Sequence, residues 1–434
     1  MEEIEKIVSN CFECVKKPCQ LGCPLSNDTA GFIKLVKEKK YKEAYELCCE
    51  TTVLQAICGR ICPHESQCQG HCIRRIKDSA VEIGKVEAFL GDMAIEKGWD
   101  IPKFTNKNKD KKIAVVGGGP AGLTCSAFLA RNGYAVTIYE KHGALGGIPE
   151  HGIPEFRLDQ NILKKTIDKI LKLGIEVKYN TELGKDISIQ KLEKEYDVVF
   201  ISIGANVSTK MGIEGENLPQ VLGGNELLEN KEYPNFNGRK VAVIGGGNVA
   251  MDVSRTVKRL GAKDVTVIYR RSKDEMPAEE KEIQEAEKEG IEFMYQTNIL
   301  KILGDTRVEK VECIKTELVQ KEGENRKVPI NIENSNFFVE TDYVIMAVGS
   351  KADKQIVDKL EIKTDNKGKI LIDENCKTSR EKVFAGGNIA GAKDTVAWAA
   401  RSRKKCSIQN RGIFEKRRNI FAKVGTKKRM YGNL

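Results

Sequence analysis

Two hydrophobic patterns divide the chain. Over residues 29–48 and 79–97 apolar residues recur at helical spacing, with cysteine-rich loops around them. A polar, turn-rich stretch at 101–110 reads as a linker. Beyond it come short unbroken apolar runs that end in glycine or other small residues, at 112–116, 197–205, 240–244, 342–350 and 383–388. Runs of this kind are expected of strands buried on both faces of a parallel sheet.

Two of these runs are copies of one another. Lys-Ile-Ala-Val-Val-Gly-Gly-Gly at 112–119 is echoed by Lys-Val-Ala-Val-Ile-Gly-Gly-Gly at 240–247, an offset of 128 residues. Each copy continues into a helix-like segment and a second strand, at 135–139 and 265–269. The pattern predicts two βαβ units of the dinucleotide-binding kind, and hence an α/β Rossmann-like chain preceded by an α-helical region. The second motif lies between the runs at 197–205 and 342–350, and the segment at 383–388 returns to the first fold. The expected domains are 1–108, helical; 109–235 with 346–410, the first nucleotide fold; 236–345, the inserted second fold; and 411–434, a tail.

The motif glycines have separate tasks. Gly117 and Gly245 allow the tight turn, and Gly119 and Gly247 let the backbone approach a pyrophosphate. Gly122, or Ala250 in its place, permits close helix–strand packing, while Pro120, Ala121, Asn248 and Val249 open the helices whose N-termini face the phosphates. The residue closing the second strand tells the copies apart. Glu140 offers a carboxylate to a ribose diol, whereas Arg270 and Arg271 match a 2′-phosphate. FAD is therefore expected at the first site and NADPH at the second, with NADH the alternative donor. Gly146 and Gly147 follow the flavin strand and are expected against the cofactor.

Length and composition narrow the class further. At 434 residues, 40% hydrophobic and 31% charged, the chain suits two or three globular domains, and no apolar run could span a bilayer. Its start lacks the features of a secretory leader, so a reducing cytoplasm is expected. The net charge of +10 sits in the tail: residues 401–434 carry twelve Lys or Arg against Glu415, while the rest is balanced. With only Phe414, Phe421 and Tyr431 as stacking platforms, that tail argues against nucleic-acid binding.

Cysteine is clustered too, with ten of the fourteen before Ile73. In a reducing compartment this points to metal or catalysis rather than disulfides. The spacings are Cys11-x2-Cys14-x4-Cys19-x3-Cys23-Pro24 and Cys58-x3-Cys62-Pro63-x4-Cys68-x3-Cys72. Iron–sulfur clusters and zinc both use such spacings, but zinc carries no electrons, and a flavin beside a nicotinamide favours iron–sulfur.

Several segments carry a closer likeness: Cys19-Gln20-Leu21-Gly22-Cys23-Pro24, Cys62-Pro63, residues 117–123 and 245–252, Gly152-Ile153-Pro154-Glu155-Phe156-Arg157-Leu158, Tyr269-Arg270-Arg271-Ser272, and Thr395-Val396-Ala397-Trp398-Ala399-Ala400. On these the chain to about residue 400 resembles the small subunit of NADPH-dependent glutamate synthase, and equally the N-terminal part of dihydropyrimidine dehydrogenase. The resemblance implies two 4Fe-4S clusters with crossed ligation. Cys11, Cys14, Cys19 and Cys72 would hold one; Cys23, Cys62, Cys68 and an oxygen of Glu87 would hold the other. Cys48, Cys49 and Cys58 then fall outside the ligand set as packed residues. It also implies cofactor contacts from Arg157, Gly349, Gly387, Asn388, Thr395 and Val396. The chain departs from the pattern at Asn388, where relatives carry Asp, and at Arg403-Lys404-Lys405, where small residues are expected.

What the resemblance implies is electron transfer from NADPH through FAD and the clusters to a partner, most plainly a glutamate synthase large chain. A dihydropyrimidine dehydrogenase chain or ferredoxin is the alternative. The cofactors supply the chemistry, so no catalytic side chain is expected, and His64, His71, His142 and His151 receive no role. Two rivals remain. A disulfide reductase needs a reactive cysteine pair beside the flavin, and no two cysteines are close beyond residue 72. A zinc-stabilised nucleotide-binding adaptor would be colourless.

Overall fold

The computed structural model describes residues 1–105, 110–320, 326–393 and 395–406. The middle of the expected linker and the basic tail at 411–434 lie outside the described residues. The chain forms two compact units. One comprises Met1–Glu150, Glu155–Gly204 and the chain from Asp353; the other comprises His151–Pro154 and Ala205–Ala352.

The first unit opens with helices packed around Ile7, Phe32, Ile33, Val36, Val86 and Leu90. The apolar stretch expected at 29–48 is two helices, Thr29–Lys37 and Tyr41–Cys49. Asp28 caps the first by accepting from the Gly31 N–H at 3.0 Å. Lys39 turns the chain at φ 59°, and the Lys40 N–H closes the end onto the Leu35 carbonyl at 2.9 Å, a Schellman-type stop. The helices Gln55–Ile61 and Ile83–Glu96 cross in backbone contact. A Cβ on Gly59 would stand 2.3 Å from the Ala88 nitrogen, and one on Gly91 would stand 2.4 Å from that of Ala56. This close approach brings the neighbours Cys58 and Glu87 to the same region.

The sheet of this unit is wholly parallel, in the order Val383–Ala385, Val198–Ile201, Lys112–Val116, Ala135–Tyr139, Glu176–Lys178. Past the opening residues Lys112 and Ala135 its central strands are buried, which accounts for their apolar runs. The helix Val396–Cys406 packs on the helix Pro120–Arg131, and its backbone continues through residues 403–405.

The second unit repeats the plan, in the order Val221–Gly223, Tyr343–Met346, Lys240–Ile244, Asp264–Ile268, Glu292–Met294. Lys240 pairs with Asp264 as Lys112 pairs with Ala135, so the sequence repeat is a repeat of register. Because Val221–Gly223 joins this sheet, the unit takes in residues before the expected boundary at 236. An antiparallel group built on Lys310–Val319 covers one face, with Ile299, Ile302, Val311 and Cys313 packed against Ile244, Ile268 and Met346. No helix among the described residues is long and apolar enough to cross a membrane.

Candidate functional site

In the first unit the strand Lys112–Val116 ends at Gly117, whose φ of 98° and contact with the Ser202 carbonyl, 2.5 Å from any added Cβ, exclude a side chain. Gly119 is the N-cap of the helix Pro120–Arg131, and no side chain caps it. A Cβ there would meet only the Gly147 Cα, at 3.7 Å, so the free N–H groups of the first turn open onto space that a pyrophosphate would fill. Gly122, by contrast, is pressed against the Gly117 carbonyl.

Glu140 is buried, with both carboxylate oxygens held by backbone: Oε2 accepts from the Gly118 N–H at 2.7 Å and Oε1 from that of His142 at 3.0 Å. Each oxygen keeps lone pairs for a diol. Gly146 donates to the Gly118 carbonyl at 2.9 Å, which sets Gly146 and Gly147 beside the phosphate loop. Gly387 comes close to the same helix start, 3.1 Å from an added Cβ to that of Ala121, and Asn388 opens the following turn. Thr395 caps the last helix, its Oγ1 accepting from the Trp398 N–H at 3.2 Å, and Val396 begins it. Arg157 lies half-buried in the turn before the helix Gln160–Leu171. Gly349 falls in the second unit, where its carbonyl accepts from the Thr209 N–H at 2.9 Å.

The second unit builds the same cradle. Gly245 has φ 138°, and Gly247 is the uncapped N-cap of the helix Asn248–Arg259. Ala250 is fully buried in the place of the third glycine, and Val249 packs half-buried beside it. Asn248 Oδ1 accepts from the Glu279 N–H at 3.2 Å, tying the loop to the chain beyond the arginines. Arg270 is exposed and Arg271 half-buried, with its Nε unpartnered. Their carbonyls are fixed by Thr316 Oγ1 at 2.8 Å and the Gln296 N–H at 3.0 Å, so both guanidinium groups spring from a rigid edge. Arg326, not singled out in the sequence, donates to the Glu275 carbonyl at 3.0 Å and adds a third cation close by.

The cysteines form two groups. Cys11, Cys14, Cys19 and Cys72 line one cavity, walled by Ala30, Ile33, Val81 and Ile83. Burial pushes the Cys19 thiol up to about 11 and raises that of Cys11, which the nearby Lys37 partly offsets. Cys23, Cys62, Cys68 and Glu87 make the second group. Burial pushes Cys23 up to about 11 and raises Cys68, and the Glu87 carboxylate adds to both. Glu87 is itself pushed up to about 8 by burial, with one long hydrogen bond from Asn27 Nδ2 at 3.5 Å. Cys58 belongs here as well: its hydrogen bond to Cys62 is the chief cause of that thiol's raised pKa. Cys48 and Cys49 are fully buried, and Cys49 Sγ accepts from Gln55 at 3.2 Å.

These groups suit iron–sulfur clusters. Thiols kept protonated by apolar walls ionise when iron charge replaces the lost water. Among the described residues no three His, Cys, Asp or Glu side chains come close enough to hold a single ion.

The comparisons agree. The sequence model for pyridine nucleotide-disulphide oxidoreductases matches residues 111–407, and that for dihydropyrimidine dehydrogenase domain II, 4Fe-4S cluster, matches 1–99. The small chain of Escherichia coli NADPH glutamate synthase is 33% identical over 418 residues, 92% of this chain and 88% of that one. The beta subunit of Geobacter sulfurreducens NADPH-Fe(3+) oxidoreductase is 37% identical over 349 residues, 78% of this chain and 52% of its own length. Mycobacterium tuberculosis FprA in complex with NADPH shares the fold at TM-score 0.60 and 18% identity, over 68% of this chain and 83% of that one. The chain thus belongs to the glutamate synthase small-chain family and is a pyridine nucleotide-dependent flavoprotein oxidoreductase with an N-terminal 4Fe-4S domain.

Proposed function

We propose that the protein is the electron-input subunit of a larger enzyme, taking electron pairs from NADPH and delivering them singly to a partner through two 4Fe-4S clusters. The partner we favour is a glutamate synthase large chain, in line with the small-chain relatives. Bound FAD accepts electrons in pairs and releases them one at a time, and the clusters carry single electrons. The protein's own residues bind and orient. Glu140 holds the flavin ribose, the helix starts at Gly119 and Gly247 hold the pyrophosphates, and Arg270 and Arg271 select the 2′-phosphate. The reading is carried by the convergence of Cys11, Cys14, Cys19 and Cys72, from two separate segments, on one apolar cavity. A reducing cytoplasm would keep these thiols available.

Anaerobic purification from the native host tests this. The protein should carry flavin, iron and acid-labile sulfide, with NADPH bleaching flavin and clusters, and a large acceptor-bearing chain should accompany it. Cys14→Ser should remove one cluster's EPR signal and leave flavin reduction intact. Material with neither flavin nor acid-labile sulfide would refute the proposal.

A further inference from the structure

Five large apolar side chains on two short segments are left in solvent: Phe12 at 60% exposure, Val15 at 97%, Leu21 at 80%, Ile73 at 44% and Ile76 at 79%. Single exposed apolar residues are ordinary, but five flanking the same four thiols are not. Phe12 and Ile73 line the cavity of Cys11, Cys14, Cys19 and Cys72, and the other three lie within four residues of those cysteines. Filling the cavity would not cover Val15 or Leu21, which face outward. The loop holding Val15 outward is fixed by ion pairs on either side, Glu13 with Lys37 at 2.9 Å and Lys17 with Asp28 at 2.7 Å.

Charge says what kind of surface could cover this collar. The local carboxylates are engaged: Glu13 by Lys37, Asp28 by Lys17, and Asp78 by Arg74 at 2.6 Å. Lys16, Arg75 and Lys77 have no carboxylate partner among the described residues, so the apolar collar has a net positive rim. A second copy would bring the same positive rim and be repelled. A bilayer could satisfy both features but offers no acceptor for an electron leaving the cavity.

We infer that this collar is the docking face for the electron acceptor, a ferredoxin-type protein or domain whose apolar patch is ringed by carboxylates. The inference rests on the electron-transfer reading above, and takes a ferredoxin-type acceptor rather than the large chain as the occupant of this face.

The test uses anaerobic holoprotein in two mixing steps, reduction by NADPH and then reoxidation by an acidic ferredoxin or by benzoquinone, a small neutral oxidant. The variants are Val15→Asp with Leu21→Asp, and Arg75→Glu with Lys77→Glu. Ile332→Asp, an exposed apolar position in the second unit, is the control. Both docking variants should slow reoxidation by ferredoxin about tenfold or more, as expected when interface anchors are lost. Benzoquinone rates should stay within about twofold, the control should change neither, and the charge reversal should flatten the salt dependence. Three results would overturn the inference: ferredoxin rates unchanged in the variants, equal slowing with both oxidants, or wild-type protein that binds phosphatidylglycerol vesicles through this face and leaves ferredoxin unreduced. Failure of the underlying reading looks different, because NADPH would then leave the clusters oxidised in the wild type, and the docking face falls with it.

Discussion

Replacing Arg131 by alanine should detach the helical region from the flavin fold. This side chain, 1% exposed, reaches back from the helix Pro120–Arg131. Its Nε donates to the Pro102 carbonyl at 2.6 Å and its Nη1 to the Cys49 carbonyl at 2.5 Å, while its guanidinium lies over Phe104 at 4.2 Å and Phe128 at 4.8 Å. Two hydrogen bonds from a charged donor contribute about 1.5–3 kcal/mol each, and the ring contacts about 0.5–1 kcal/mol each. Against this stands the burial of the cation, which already lowers its pKa. The net loss should be about 4 kcal/mol, because alanine also strands two carbonyls away from water. With Trp398→Phe as background, Trp99, packed at 6.0 Å from Tyr45, reports on the junction. For a urea slope of about 3 kcal/mol/M, the Trp99 transition should fall by about 1.3 M. Arg131→Lys, which keeps the charge and loses the fork, should show about half of that. An alanine variant within about 0.2 M of wild type would refute the reasoning.

Arg270→Ala with Arg271→Ala should raise the KM for NADPH by about tenfold to a hundredfold, the loss of one or two charge-assisted contacts, with NADH within about twofold; steady-state kinetics with both nucleotides decide it, and equal changes would refute the 2′-phosphate assignment. In iron-stripped protein the Glu87 carboxyl, pushed up to about 8 from 4.5, keeps its proton on folding while the unfolded chain has lost it. Its contribution is therefore complete below the ordinary carboxylate range and declines as pH climbs through 8, by about 1.4 kcal/mol per pH unit. Glu87→Gln should abolish that slope in denaturant titrations from pH 5 to 8, and parallel lines for the two proteins would exclude the shift.

The nucleotide cradles were legible in the sequence for a physical reason. A strand covered on both faces must be apolar throughout, and a backbone that meets phosphate must be glycine, so residues 112–119 and 240–247 carry their structure openly. The stop at Lys39 was hidden, since lysine has no preference for the left-handed conformation it adopts there. Val221–Gly223 is too short to show a period, so its place in the second sheet emerges only from pairing with Tyr343–Met346. Arg326 sits beyond a long antiparallel excursion, and no local signal links it to Glu275. Cys58 is instructive in another way. Its spacing places it in a neat quartet with Cys62, Cys68 and Cys72, yet Cys72 lines the cavity of Cys11, Cys14 and Cys19, and Cys58 is grouped with Cys62 and Glu87 instead.

The interleaving of the two cysteine strings constrains how such a molecule can be made. A nascent chain that has emerged only as far as Cys23 owns three thiols of one group and one of the other, and can finish neither. Iron delivered at that moment would find incomplete sites open to water and oxygen. On the proposed ligation, maturation waits until the loop bearing Cys72 has folded back. Excising either half as a minimal electron carrier would, on that ligation, break both proposed clusters at once.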